Sequence, residues 1–189
     1  HIPSHSFPTR RSSDLLMYFF SFIYFLVLAF GCANQFEGER KAFESESKDN
    51  LFNANGFGEF KINQNLNEMF YEVENSRIDD CFFAKNRNIK LDVNFQIINN
   101  KVVVISSRQS GASDSFGIRV GDNESTVFQK HNNQKFEKKL NPYGDLKNDY
   151  SIIYWNDTRD MGLRYDIESK KVVAIYVGNE NVSLMEGCA

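Results

Sequence analysis

Histidine, cysteine and aspartate supply most of the acid-base, redox and metal chemistry open to a protein, and here each is sparse or poorly spaced for it. Two of the three histidines, His1 and His5, fall in the first five residues, so His131 is the single imidazole of the remaining chain. It lies near the end of a predicted helix, where an imidazolium interacts favourably with the helix dipole, and a surface position is expected for it. Asp157, Asp160 and Asp166 would suggest a cation site, yet they lack the D-x-D-x-D-G spacing of a calcium loop, and Asn156 to Gly162 reads as a hairpin turn. Asp79 and Asp80 precede Cys81, but adjacent residues on a strand point to opposite faces and cannot share one proton. Ser110-Gly111-Ala112-Ser113 lacks the G-x-S-x-G of a nucleophile elbow and reads as a linker. No catalytic residue, cofactor-binding residue or metal ligand set is expected, and no small-molecule substrate is evident.

The three cysteines are more informative. Cys32 ends the apolar run Leu15 to Cys32, L-L-M-Y-F-F-S-F-I-Y-F-L-V-L-A-F-G-C, which is short for a bilayer span and closes on small residues, as an export signal does. The ending Ala29-Phe30-Gly31-Cys32 resembles the lipobox of bacterial lipoproteins, which implies acylation of the Cys32 sulfur and a membrane partner through that lipid. An ordinary signal-peptidase site of the Ala-x-Gly kind is the alternative, and both cut at the same bond. His5 to Leu15, H-S-F-P-T-R-R-S-S-D-L, looks like the translation of a sequencing-adapter oligonucleotide. Residues 1–15 are therefore set aside as an artefact, and Arg10 and Arg11 are not counted as a basic n-region. Residues 16–31 are read as the signal peptide.

Cys81 and Cys188 remain, an even pair in an exported protein, and a disulfide is expected between them. The alternative is two buried free thiols; zinc is disfavoured because neither cysteine has a C-x-x-C neighbour. The formal net charge of −3 gives nothing to attract nucleic acid. Residues 32–55 are polar, charged and without sustained period, and read as a flexible tether, although Phe36, Phe43 and Phe52 offer apolar groups that would dock on a folded body.

Two stretches of the remaining chain align with each other. Phe60 to Phe70 lines up with Ile118 to Phe128, and Val93 to Ile97 with Lys101 to Ile105 lines up with Leu163 to Ile167 and Lys171 to Ile175. Residues 56–112 and 113–189 are therefore read as repeats 1 and 2, with an insertion in the second copy within Gln134 to Asp149. In copy one Asn65 and Glu68 stand in capping-box positions, and Leu66, Met69, Phe70 and Val73 form an apolar stripe, predicting a helix of about ten residues. Asn123 would cap a shorter helix in copy two. Ile89, Leu91, Val93, Phe95 and Ile97 then alternate with polar residues, and Asn99-Asn100 supplies a turn before Val102 to Ile105 returns. In copy two the predicted strands are Tyr150 to Trp155, Gly162 to Ile167, Lys171 to Val177 and Asn181 to Met185. The expected fold class is α+β: two tandem helix-plus-antiparallel-meander repeats, with helices packed on one face of the sheet.

Gly117-Ile118-Arg119-Val120-Gly121-Asp122 before a capped helix, and the ending Val182 to Cys188, resemble exported proteins of uncharacterised function whose repeats are similar to the β-lactamase inhibitory protein fold and to the SmpA/OmlA small outer-membrane lipoproteins. Asn63 stands where the first copy would carry glycine. The resemblance implies a non-enzymatic binding or assembly module in the cell envelope, on the outer membrane and facing the periplasm, with an unidentified envelope protein as partner. Trp155, Tyr143, Tyr150, Tyr154, Tyr165 and Tyr176 are candidates for a recognition surface, half of them expected in the core at strand spacing. The alternative functions are a secreted inhibitor of an extracytoplasmic enzyme and, with little to support it, a periplasmic enzyme.

Overall fold

This computed structural model describes residues 50–188. The adapter-like segment, the export signal, Cys32 and the tether up to residue 49 lie outside the described residues. The last part of the expected tether lies inside the fold: β1 (Phe52–Asn53), β2 (Gly56–Phe57) and β3 (Phe60–Lys61) form a small antiparallel sheet. Phe52 and Phe57 are fully buried with ring centroids 4.8 Å apart. Burial of one such ring stabilises by about 2–3 kcal/mol, which is why the chain is held there.

Two antiparallel meanders make up the rest. The first is β4 (Phe70–Glu72), β5 (Cys81–Asn86), β6 (Asn94–Ile98) and β7 (Lys101–Ser107); the second is β8 (Glu137–Leu140), β9 (Tyr150–Trp155), β10 (Gly162–Glu168) and β11 (Lys171–Gly178). They join through their final strands into one eight-stranded sheet of order β4-β5-β6-β7-β11-β10-β9-β8. The main core lies on the sheet face covered by β1–β3 and by the helix α1 (Glu124–Lys130), where Phe95, Ile105, Ile152, Tyr165 and Ile175 meet Phe52, Ile118 and Val127. A smaller cluster of Val103, Val104, Ile153 and Val182 occupies the opposite face, called here the back face.

The expected pair of helix-plus-meander repeats is overturned. Strand dominates, and the described residues hold the single short helix α1 together with a 3-10 turn at Glu180–Ser183. In the first half the Leu66 to Val73 stripe makes no helix. Asn67 closes a turn through Met69 N–H to its Oδ1 at 3.0 Å, and the chain enters edge strand β4, which pairs Phe70 with Asn86 and Glu72 with Ala84. The reason is chain length: Asn65 is much closer in sequence to β5 than Asn123 is to β9, so a helix there would leave no residues to cover the β5 edge. Asn181 to Met185 is not a strand either, because both edges of β11 are already taken by β7 and β10.

What the halves do share is hydrogen-bond register. Asn63 N–H donates to Val102 O at 2.7 Å as Gly121 N–H donates to Val172 O at 2.7 Å, and Leu66 N–H to Asn100 O as Glu124 N–H to Lys170 O. A register shift interrupts β6–β7 between Gln96 and Ile97, and β10–β11 between Asp166 and Ile167. Asn63 and Gly121 both have positive φ, at 67° and 104°, so the asparagine supplies the left-handed conformation that glycine supplies in the second half. The turns Asn99-Asn100 and Ser169-Lys170 are also both left-handed at each residue, the backbone that two-residue hairpins require.

Candidate functional site

The back face is crossed by the C-terminal segment, and the space between them is a cleft. After β11 the chain turns at Asn179, whose N–H donates to Val103 O at 3.1 Å, makes the 3-10 turn, and runs from Val182 to Cys188 over β10, β7 and β5 as a strap. Val182 is the first anchor, 1% exposed. It sits on a notch made by Gly162 and Gly178, which face each other across β10 and β11. Cys188 is the last anchor, disulfide-bonded to Cys81 on β5 with the Cα atoms 5.3 Å apart. Gly187, at φ 64°, lies against the Phe83 ring.

Between the anchors the strap is held by Arg164. The residue is 3% exposed, and its guanidinium donates to Val182 O at 3.1 Å, Leu184 O at 2.8 Å and both oxygens of Asp166. Asp166 also accepts from Ser151 Oγ at 2.6 Å, and the Arg164 guanidinium lies 4.5 Å from the Tyr176 ring centroid. A buried ion pair needs such additional hydrogen bonds to offset its desolvation, and here every partner belongs either to the sheet or to the strap. Burial, with Asp166 nearby, pushes the Tyr176 phenol up to about 12.

Under the strap a cleft of about 330 Å³ opens, with Gln96, Val104, Ser106 and Tyr176 on its floor and Leu184, Met185 and Glu186 on its roof. Sheet register builds the floor: Asn94 pairs Ser106, Ser106 pairs Tyr176, and Tyr176 pairs Arg164, a row of side chains on one face across four strands. Arg108 at the rim pairs with Glu168 at 2.8 Å, both side chains being about half exposed.

A second polar cluster lies in the main core. Asp114 Oδ1 accepts N–H bonds from Phe116 at 3.0 Å and Ile118 at 2.8 Å, its Oδ2 accepts from Tyr165 Oη, and His131 Nε2 stands 2.9 Å from that phenol. The tyrosine proton points at the carboxylate, so Nε2–H is the donor to the phenol oxygen. Tyr154 stacks on His131 at 3.7 Å and 7°. Desolvation lowers the His131 pKa to about 4 and raises that of Asp114, whose hydrogen bonds oppose the shift. His131 Nδ1 and Tyr154 Oη have no hydrogen-bond partner. The first half carries Phe95 at the register position of Tyr165, in edge contact with Phe70 and Phe60.

His131 is therefore 2% exposed, against the surface position expected for it. Asp157 and Asp160 sit in the exposed β9–β10 turn, where Asp160 accepts from Asn156 and Thr158, while Asp166 faces the strap; the three aspartates are not brought together. Asp79 and Asp80 are exposed beside Cys81, and Ser110 to Ser113 forms turns between the halves. Of the aromatic residues, Tyr165 and Tyr154 are core, Tyr143 is 71% exposed, and Tyr176 and Trp155 belong to the back face. Sequence reading passed over Arg164, Gln96 and the Gly162–Gly178 notch. The available signal was the alternation of Arg164 and Asp166 with Leu163, Tyr165 and Ile167, which puts two opposite charges on one strand face.

Comparison with protein-family models, with curated proteins and with solved structures gives no match for this chain.

Proposed function

We propose that this chain is a bacterial cell-envelope lipoprotein, anchored through lipid on Cys32 at the outer membrane and facing the periplasm, whose folded part is a non-catalytic protein-binding or structural module. The observation that carries the reading is the Cys81–Cys188 disulfide, since such bonds form and persist outside the cytoplasm. The apolar run ending in Ala29-Phe30-Gly31-Cys32, and its resemblance to a lipobox, agree with that compartment. The strap and cleft favour binding over chemistry, because the polar groups there are spent on holding the chain or face a small concavity. The matching registers of the two halves support descent from one repeated segment.

Labelling with radioactive palmitate tests the anchor: label on the wild type, lost in Cys32→Ser together with membrane attachment, is expected, and an unlabelled, soluble wild type overturns it. A secreted inhibitor of an extracytoplasmic enzyme is the second reading. It is favoured by the apolar side chains Leu140, Tyr143 and Leu146, all more than half exposed around the β8–β9 loop. That reading expects a hydrolase captured by the wild type and released by Tyr143→Ser with Leu146→Ser.

A further inference from the structure

Gln96 is 4% exposed, its only side-chain hydrogen bond is a long contact of 3.5 Å from Nε2 to Cys81 Sγ, and it lines the cleft under the strap. Its amide oxygen has no protein donor. Asn94, two residues earlier on the same face, and Ser106, its cross-strand partner, likewise line the cleft without a side-chain hydrogen bond. Gln96 is buried and Asn94 and Ser106 are half-buried, so polar side-chain groups not taken up by the protein line this cavity and are free to hydrogen-bond a ligand there.

The walls narrow the chemistry. Sugars are held by polar groups together with an open aromatic face; here the Tyr176 ring is covered by the Arg164 guanidinium, and the tip of the Phe83 ring abuts Gly187. The apolar lining that remains is aliphatic: Val73, Val104, Leu184 and Met185. Arg108, which also lines the cleft, uses one nitrogen on Glu168 in an exposed pair, the kind that contributes little and exchanges readily. Asn94 and Gln96 stand two residues apart on one strand face, about 6.6 Å, which is also the repeat of an extended peptide.

We infer that this cleft binds a short extended peptide, with an aliphatic side chain against Val104 and Met185, its flanking peptide groups on Asn94 and Gln96, and a carboxylate at Arg108. A volume of about 330 Å³ suits a few residues rather than a folded partner. The inference rests on the reading of the folded part as a binding module and names the chemistry of its ligand.

The test uses the full chain with methyl-13C methionine. The sequence has four methionines, of which Met185 alone lines the cleft. Titration with N-acetyl-Leu-Leu-Glu is expected to shift the Met185 signal saturably and leave Met69 and Met161 in place. Gln96→Leu and Asn94→Leu, which remove no internal side-chain hydrogen bond beyond the sulfur contact, weaken that binding by about fivefold each, the worth of one amide hydrogen bond. The C-terminal amide of the peptide with Glu replaced by Gln binds about as weakly as Arg108→Gln binds the parent peptide. An unmoved Met185 signal, wild-type affinity in both leucine variants, or a response to methyl glucoside in place of the peptide overturns the inference. Failure of palmitate labelling would leave this result standing, and failure of the titration would leave the lipid anchor standing.

Discussion

Gly162 and Gly178 oppose each other on β10 and β11, and a Cβ on either would press into Val182. The two positions are not equivalent. At Gly178 a Cβ would come within 2.7 Å of Val103 O, backbone that cannot rotate away, whereas at Gly162 the neighbours are the Trp155 ring and Val182 Cγ1, both at 3.0 Å. Gly178→Ala is expected to lower stability by about 1–3 kcal/mol and Gly162→Ala by less. Denaturant titration of both variants measures this; an equal cost would contradict the packing described.

Arg164→Leu should be among the most damaging single changes. It leaves Val182 O and Leu184 O without donors and Asp166 buried without its cation, a loss of about 3–5 kcal/mol. Adding Asp166→Leu should recover part of the loss, since the orphaned charge is then gone. A double variant no more stable than the single would remove the ion pair from the account of how the strap is held.

Reduction of the disulfide, or Cys188→Ser, frees one anchor of the strap. The closed loop has a sequence separation of 107, for which chain entropy alone gives about 4–5 kcal/mol. Stability should drop by an amount up to that figure, and a protease that cuts at apolar residues, such as thermolysin, should trim the strap up to Val182 while the sheet resists. Uniform digestion of the whole fold would show instead that the strap is required for the sheet to form.

Acid should weaken the protein through His131. Its folded pKa of about 4 is below the ordinary 6.5, so the unfolded chain binds more protons between those values and stability falls as pH drops from about 6.5 towards 4. Asp114 acts in the opposite sense: its folded pKa is raised, so the folded state gains protons first and loses that contribution as pH rises through the folded value. His131→Phe, which imitates the all-phenylalanine packing around Phe95, is expected to flatten the decline by about 5 °C in Tm across that window. Melting curves at pH 4.5 and 7 for both proteins provide the check, and an unchanged difference would exclude His131 as its source.

Strands β9, β10 and β11 are legible in the sequence because runs rich in β-branched and aromatic residues lie between turn residues, whereas β8 falls in the stretch read as an insertion. The stripe Leu66, Met69, Phe70 and Val73 misleads because its spacing fits a helix as well as it fits a turn followed by an edge strand, and only the need to cover β5 decides between them. Val182 to Met185 alternates as a strand would, yet finds no free edge and lies across the sheet. His131 is placed at a helix end by the sequence, but nothing local announces that Tyr154 and Tyr165, from two later strands, close over it. The cleft shares that difficulty, since its floor joins side chains of β6, β7, β10 and β11 that only the strand order makes neighbours.

The bond between Cys81 and Cys188 also makes most of the fold a covalent ring. A single proteolytic nick in any exposed connection between those residues, such as the one after β8, opens that ring without producing a detachable piece. The nicked molecule keeps both meanders in one covalent piece, so such damage does not separate them until a reductant or a second cut completes the break.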